Sequence, residues 1–401
     1  MAIANTATRY GSVTRSFHWL TALLIMTLIP VAMIAHELPH DISEQLARKA
    51  WLYSLHKTLG VGVFFVALLR IIWALSQPKP ASLHPDRKME NFLAETAHWL
   101  LYGSLVLAPM SGWIHHAATS GFAPIWWPLG QSLPLVAKSK SVSALFGGLH
   151  WVFGKVMIVS LLLHIAGAFK HYFIDKDATL RRMLNGAPDL RDLDATRHGY
   201  VSLIATFAIW GIVLTGAGFA GFYAPKAGAT DAAALSDVTS DWTVEQGTVA
   251  IGVTQFGSTV EGSFTDWTAN ISFDPTIQGG TSGQVEVVIA IGSLTLGSVT
   301  DQAMGPDFFD ASQFETATFN ADVITNIDGF VAQGTLTIKD VTIPVTMPFR
   351  LSLNEGEANV KAQLMLNRMD FGIGANMPDE GSLAFAVDVI IELDATKSTP
   401  E

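Results

Sequence analysis

The sequence predicts a membrane domain of four helices plus one further transmembrane helix, followed by an all-β antiparallel domain. The 401 residues are 49% hydrophobic but only 15% charged, below the roughly 25% charged residues of a typical soluble domain. Five apolar stretches in the first half are long enough to cross a bilayer, which requires about 20 residues. In the second half, apolar residues recur with a period of two, which is the spacing of strands with one buried face.

Charge and residue type divide the chain into two parts. Residues 1–230 contain 19 Lys and Arg against 11 Asp and Glu, whereas residues 231–401 contain 5 against 24. The basic residues flank apolar stretches and the acidic half would repel phosphate, so we expect no nucleic-acid partner. The chain has no cysteine, which excludes disulfides, thiolate metal sites and covalently attached c-type haem.

The charges of the connecting segments predict how the helices cross the membrane. The predicted spans cover residues 17–35, 51–75, 92–114, 147–173 and 200–223. Segments 1–16, 76–91 and 174–199 contain ten Lys and Arg, against four in segments 36–50 and 115–146. Because positively charged loops remain in the cytoplasm, we expect a cytoplasmic N-terminus. The odd number of spans then places the second half on the extracytoplasmic side.

All 12 histidines lie in the first half, and two of them share the fourth span. His150 and His164 are 14 residues apart, and 14 steps of 100° return to within about 40° of the starting direction. At 1.5 Å per residue they lie roughly 21 Å apart along the helix. They therefore face the same way at two depths, which is how one helix provides an axial ligand to each of two stacked haems.

Depth in the membrane predicts the second ligand of each haem. His18, near the start of the first span, lies level with His164, and His56, near the start of the second span, lies level with His150. Three histidines of the third span remain open as alternatives at this point, namely His98 for His18, and His115 or His116 for His56. The structural interpretation of these three is hydrogen bonding between helices. Iron with two histidine ligands has no free position for oxygen, so we expect electron transfer.

Several short motifs of the first half have a family pattern. They are Phe17-His18-Trp19, Leu55-His56-Lys57, Leu149-His150-Trp151, Leu163-His164 and the tail from His171 to Leu184. With these motifs, residues 8–185 resemble the bacterial cytochrome b561 family of four-helix membrane cytochromes. The resemblance implies two non-covalent b-type haems, with His18, His56, His150 and His164 as their axial ligands, in the bacterial inner membrane. It also implies electron exchange with ubiquinone or another isoprenoid quinone, and in some relatives superoxide oxidation with quinone as acceptor.

Residues 224–240 are rich in Ala, Gly, Ser, Thr and Asp, which is typical of a flexible linker. We predict a four-helix domain at 1–185, a fifth transmembrane helix with its cytoplasmic lead-in at 186–225, a linker at 226–240 and a β domain at 241–401. Alternating apolar residues, as at 341–349 and 385–393, predict about eight strands in an antiparallel sandwich or barrel.

The β domain also contains motifs of a known family. They are Trp242-Thr243-Val244, Asp307-Phe308-Phe309-Asp310, the run from Phe314 to Phe319, the run from Gly334 to Val345, and the run from Asn367 to Ile373. With these motifs, residues 240–395 resemble the YceI-like family. The resemblance implies a periplasmic lipocalin-like barrel that holds a polyisoprenoid, including quinone tails. A small barrel is otherwise filled by its own side chains.

Phe308 and Phe309 are the candidate lipid-binding residues, because they lie in a turn-rich stretch where a cavity mouth is expected. The structural alternative is that one of them fills the core and the other packs under the loop. We name no catalytic residue in either half.

The sequence as a whole predicts a quinone-linked electron-transfer oxidoreductase fused to an isoprenoid-binding barrel. The expected partners are the lipid bilayer, a quinone or polyisoprenoid, and an electron donor that the sequence does not name. The alternative is an isoprenoid carrier whose membrane half serves mainly as an anchor. A difference spectrum without b-type bands would favour that alternative.

Overall fold

The computed structural model describes residues 2–126, 130–185, 200–225, 232–236, 238–277, 279–327, 329–354 and 356–398. The predicted lead-in at 186–199 and the linker residues 226–231 and 237 lie outside the described residues. The chain forms two compact units. The first comprises Met1–Glu37, Trp51–Thr119 and Ile125–Lys226, and the second comprises Leu38–Ala50, Ser120–Pro124 and Ala227–Glu401.

The N-terminal half is helical. Its helices are α1 (Ser12–Glu37), α2 (Ser43–Leu75), α3 (Lys88–Ala117), α4 (Lys140–Phe169), the short α5 (Thr179–Leu184) and α6 (Val201–Phe219). A π-helical segment, Lys170–Asp175, continues α4 and ends at Lys176, which has a left-handed backbone. One more short helix, α7 (Thr300–Ala303), lies in the second half.

Four helices in the described parts of the chain are long and apolar enough to cross a membrane, namely α1, α2, α4 with its π-helical extension, and α6. The third predicted span, α3, has 30 residues, but histidine, tyrosine, serine and proline residues lower its mean hydropathy. Large apolar side chains on these helices, such as Leu23, Ile72, Leu162 and Phe207, are exposed. An apolar exterior suits a lipid environment. The predicted multi-pass helical membrane half is therefore confirmed.

Helix α6 packs inside the helical unit and does not stand apart from it. Trp210 is buried in one apolar cluster with Leu100 of α3 and Phe153 of α4. Gly103 of α3 permits this approach, because a Cβ atom there would lie 3.3 Å from Nε1 of Trp210. The fifth predicted span thus contributes to the core of the bundle.

The C-terminal half is one ten-stranded antiparallel sheet. Its strands are β1 (Trp242–Gln255), β2 (Ser258–Phe264), β3 (Trp267–Phe273), β4 (Gly280–Ala290), β5 (Leu294–Thr295), β6 (Thr316–Asn326), β7 (Gly329–Ile338), β8 (Val341–Asn354), β9 (Glu357–Asn367) and β10 (Leu383–Lys397). The strand order is β3-β4-β6-β7-β8-β9-β10-β1-β2-β5. The number exceeds the eight or so expected, in part because β5 has only two residues.

The sheet curls so that its end strand β3 approaches β1. Gly247 of β1 makes this approach possible, because a Cβ atom there would lie 2.6 Å from the ring of Trp267 in β3. The buried side of the sheet collects alternating apolar residues, including Val249, Phe319 and Val345. The predicted antiparallel barrel-like domain is confirmed.

Candidate functional site

The structure brings His56 and His150 together. Their ring centroids are 6.3 Å apart, with His56 on α2 and His150 on α4. Nδ1 of His56 lies 3.0 Å from the carbonyl oxygen of Leu28, and Nδ1 of His150 lies 2.7 Å from that of Ala108. A carbonyl oxygen only accepts hydrogen bonds, so Nδ1 is the donor in each ring. In a neutral ring this leaves Nε2 with the free lone pair that a metal requires.

The structure also brings His18 and His164 together, with ring centroids 6.0 Å apart. Arg70 of α2 lies beside this pair, with Nη2 3.5 Å from Nδ1 of His18. Its guanidinium also lies over the ring of Tyr102, 5.3 Å from the centroid. The aromatic contact orients Arg70 next to the pair, whereas the distance to His18 is too long for a strong hydrogen bond.

The separation of each pair fits two histidines that would hold one metal ion between them. Imidazole nitrogens bind metals at about 2 Å, and each ring centroid lies about 1 Å beyond its nitrogen, so opposite ligands have centroids about 6 Å apart. Both pairs match this spacing. The competing ring of His98 lies only 4.9 Å from that of His164 and nearly perpendicular to it, which is shorter than this spacing.

The other two histidines of α3 have protein partners. Nδ1 of His115 lies 2.7 Å from the carbonyl oxygen of Ser143. Lys57 lies with Nζ 3.4 Å from both ring nitrogens of His116. These contacts join α3 to α4 and to α2. They correspond to the structural role that the sequence favoured for these histidines.

A separate polar cluster follows the end of α4. Nε2 of His84 and Nδ1 of His171 lie 3.0 and 2.7 Å from Oδ2 of Asp177, and the backbone N–H of Thr179 donates to Oδ1 at 2.8 Å. Burial raises the pKa of Asp177, but the hydrogen bonds from Thr179, His171 and His84 outweigh this effect. The net pKa is lowered from 3.8 to about 2. The ligand atoms of His84, His171 and Asp177 lie within 4.8 Å of one another, a spacing compact enough for a metal ion.

The second unit encloses an apolar cavity of about 280 Å³ inside the curled sheet. Every strand except β5 contributes side chains to its wall. The wall runs from Trp242 at the start of β1 to Gln255 at its end, so the cavity extends along the length of this strand. Such a shape suits a chain-like apolar ligand.

Both predicted lipid-binding residues line this cavity, but their surroundings differ. Phe309 packs against the buried core cluster and lies edge-on to Phe264, with ring centroids 6.3 Å apart. Phe308 packs at the end of the cavity against a cluster that contains Met377 and Leu383. Phe308 thus lies with Met377 and Leu383, whereas Phe309 lies against the core cluster.

Sequence reasoning did not single out Arg368, which is buried at the cavity wall. Its guanidinium donates to the backbone carbonyls of Ile373, Gly374, Met377, Leu383 and Ala384. Burial lowers its pKa. The side chain thus ties the segment before β10 to the end of β9, and only its position in the motif from Asn367 to Ile373 marked it in the sequence.

The site and the fold together define a membrane protein of two parts. One is a helical bundle that contains two pairs of histidines, and the other is a barrel that encloses an apolar cavity. Comparison with known proteins identifies both parts. Residues 9–186 match the family model of prokaryotic cytochrome b561, and residues 242–396 match that of the YceI-like domain. Both family resemblances predicted from the sequence are confirmed, and the similarity of the first half to cytochrome b561 implies b-type haem.

The first half has relatives of nearly its own length. Cytochrome b561 homolog 2 of Escherichia coli K12 is 29% identical over 192 residues, covering 46% of this chain and 95% of the relative. Probable superoxide oxidase CybB of Yersinia pestis is 23% identical over 177 residues, covering 44% of this chain and 96% of the relative.

The second half is similar to solved structures. The crystal structure of Burkholderia cenocepacia BcnA is 28% identical, covers 37% of this chain and 96% of its own, and has a TM-score of 0.35. The Campylobacter jejuni YCEI protein is 22% identical, covers 35% and 86%, and has a TM-score of 0.31.

Proposed function

We propose that the protein is a di-haem b-type cytochrome that exchanges single electrons with a quinone pool and holds an isoprenoid in its barrel. The observation that carries the electron-transfer proposal is the pair of histidine contacts at centroid separations of 6.0 and 6.3 Å. The match to the cytochrome b561 family supports b-type haem, and the two histidine pairs support a count of two.

In this proposal, His18 and His164 would hold one haem, and His56 and His150 would hold the other. A haem held by two histidines supplies reversible one-electron transfer without oxygen binding. The carbonyl oxygens of Leu28 and Ala108 orient the rings of the second pair. Since His150 and His164 both belong to α4, roughly 21 Å apart along its axis, one rigid helix fixes the spacing of the two centres.

The loop charges support an inner-membrane protein with its N-terminus in the cytoplasm and its C-terminal barrel in the periplasm. The pair of His18 and His164 then lies toward the cytoplasmic face. The pair of His56 and His150 lies toward the periplasmic face. Electrons exchanged between the pairs would cross most of the membrane thickness.

The barrel proposal rests on the cavity. Its wall is apolar along its length, apart from three side chains, and residues 227–401 contain no histidine or cysteine. A cavity of this kind favours binding by apolar burial over catalysis. We therefore propose that it holds the tail of a quinone or another polyisoprenoid. A short tether raises the effective concentration of one module at the other.

The electron-transfer proposal is tested on the full chain purified in detergent. Dithionite should produce the reduced bands of a b-type cytochrome, and a soluble ubiquinone analogue such as decylubiquinone should reoxidise it. A protein that shows b-type bands but is not reoxidised by the quinone would contradict the quinone link. A protein without b-type bands would leave the isoprenoid carrier with a membrane anchor as the better account.

The barrel proposal is tested on the same preparation by solvent extraction and mass spectrometry of the lipids. An isoprenoid in stoichiometric amount is expected, and a preparation of a variant with a filled cavity, Ala332→Phe, should lose it. Ala332 is buried in the cavity wall on β7. Equal lipid in the two preparations would place the lipid elsewhere on the protein.

A further inference from the structure

One residue interrupts the apolar pattern of the barrel interior. Val249, Ile251 and Val253 of β1 face the cavity at every second position, and the next inward position is Gln255. The alternation predicts an apolar residue at position 255. Gln255 is instead a polar side chain that is 7% exposed, at the last residue of the strand.

The side-chain amide of Gln255 is incompletely satisfied. Among the residues that the structure describes, Oε1 of Gln255 is buried and has no hydrogen-bond partner. A buried acceptor without a partner is unfavourable, because it has lost water and gained nothing in return. Since the side chain lines the cavity, a molecule in the cavity is in a position to supply the missing partner.

The other two polar side chains of the cavity wall are less suited to this role. Arg368 uses its guanidinium on five backbone carbonyl groups, so its donors are already engaged. Gln302 of α7 is only half-buried, and water can satisfy its amide. Gln255 is thus the buried polar side chain whose missing hydrogen bond a ligand would supply.

We propose that Gln255 recognises the oxygen-bearing head of the isoprenoid, and that the tail extends from there toward the Trp242 end of the cavity. This inference rests on the proposed isoprenoid-binding function of the barrel. A hydroxyl group can donate to Oε1, and rotation of the amide by 180° lets Nε2 donate to a quinone carbonyl. The shared chemistry is an alcohol or quinone oxygen on an apolar tail, which sets these ligands apart from a plain hydrocarbon.

The position of Gln255 also gives the ligand a direction. Gln255 pairs with Leu383, the first residue of β10, and with Ser258 of β2. Phe308, Met377 and Leu383 form the apolar cluster at this end. At the other end, Trp242 packs with Ala358 and Ala395, and the described side chains that line the cavity there, such as Phe273 and Leu393, are apolar. The polar end of an amphipathic molecule therefore matches only the Gln255 end.

The test compares three ligands with the same twenty-carbon isoprenoid tail on the full chain in detergent. They are geranylgeraniol, menaquinone-4 and the hydrocarbon that lacks the hydroxyl of geranylgeraniol. The variant is Gln255→Met, which keeps an unbranched side chain of similar volume. The control is Gln363→Met, which alters an exposed glutamine of β9. Dissociation constants are measured by equilibrium dialysis.

Loss of one hydrogen bond in an apolar site should weaken binding of geranylgeraniol and menaquinone-4 about tenfold in Gln255→Met. Hydrocarbon binding should change by less than about twofold, and the control should bind all three like the wild type. Any quinone bound by the helical half is the same in both proteins and cancels in the difference. A loss confined to one head identifies that head as the one recognised.

Two results would overturn the inference in different ways. If the wild type binds the alcohol and the quinone but Gln255→Met weakens all three ligands equally or none, Gln255 has no part in head recognition and the barrel still binds isoprenoids. If the wild type binds none of the three, the proposed isoprenoid-binding function fails as well. Because Gln255→Met removes an unsatisfied buried group, we expect the variant to fold, and Gln255→Leu provides a second test.

Discussion

The two halves of this chain bury opposite kinds of side chain. In the helical half, paired histidines lie inside the bundle while large apolar residues such as Leu23 and Phe207 face outward. In the barrel, apolar residues line the interior, and the outside includes carboxylates such as Asp394, which accepts hydrogen bonds from Gln246 and Asn359. The comparison shows that the surrounding medium determines which side of an element must be apolar.

This inversion matches the proposed functions. A bundle with polar groups inside an apolar shell can hold charged or redox-active groups away from lipid. A barrel with an apolar interior and an acidic exterior can hold a lipid tail in water. The bundle thus offers polar groups to its ligand within lipid, and the barrel offers an apolar interior to its ligand within water.

The largest predicted effect is in the helical half. His164→Ala should remove the haem of the His18 pair, and His150→Ala should remove that of the His56 pair, because each loses one of two iron ligands. His98→Ala is the matched control and should keep both haems. Haem content is measured by pyridine haemochrome absorbance per chain. The ligand assignment is wrong if both single variants keep two haems, or if His98→Ala loses one.

Arg368 tests the barrel independently of any haem. Arg368→Met keeps the apolar stem but leaves five backbone carbonyl groups without their donor, four of them in buried hydrogen bonds, so we expect the sheet to lose roughly 3–5 kcal/mol of stability. Arg350→Met, on an exposed position of β8, should change stability by less than about 0.5 kcal/mol. Urea unfolding followed by the β-sheet circular dichroism signal measures both. Equal midpoints for the two variants would mean that Arg368 does not hold this segment.

Variants of Phe308 and Phe309 test whether these two neighbours have different roles, one at the end of the cavity and the other in the core. Phe308→Asp should reduce bound isoprenoid several-fold with the sheet intact, because Phe308 packs at the end of the cavity. Phe309→Asp should instead destabilise the barrel by about 2–3 kcal/mol, because it places a carboxylate against the core cluster. Lipid mass spectrometry and urea unfolding separate the two outcomes. Identical behaviour of the variants would remove the distinction between these neighbours.

The smallest predicted effect concerns Asp177, in the helical half but outside the spans. Its folded pKa of about 2 lies below the ordinary value of 3.8, so its contribution to stability is full above pH 4 and is lost as the pH falls toward 2. Asp177→Asn lacks this contribution. The melting temperature of the wild type should therefore fall more between pH 6 and pH 3 than that of the variant. Parallel pH profiles would show that Asp177 contributes nothing.

The periodicity of the sequence predicts much of this architecture. The 14-residue spacing of His150 and His164, with helix direction and depth, placed His18 level with His164 and His56 level with His150, and left His98, His115 and His116 open as alternatives. The alternation of residues 341–349 and 385–393 located β8 and β10. Both are local repeats imposed by helix and strand geometry, so a single sequence contains them.

Other features depend on contacts between distant segments, which one sequence does not encode directly. Depth could not separate His98 from His18, because the difference lies in a ring separation of 4.9 against 6.0 Å. The role of Arg368 depends on the path of residues 373–384. The signal for Gln255 was present, as a polar residue in the alternation of β1, but its meaning required a cavity that only the closed sheet creates.

The most direct test of the central claim is the ratio of haem to chain in the purified wild-type protein. Absorbance of the pyridine haemochrome gives the haem, and amino-acid analysis of the same sample gives the chain. The two histidine pairs predict a ratio of two, with both haems non-covalent and therefore extracted by acidified acetone. A haem-to-chain ratio of one or zero, or haem that resists extraction, would contradict the account.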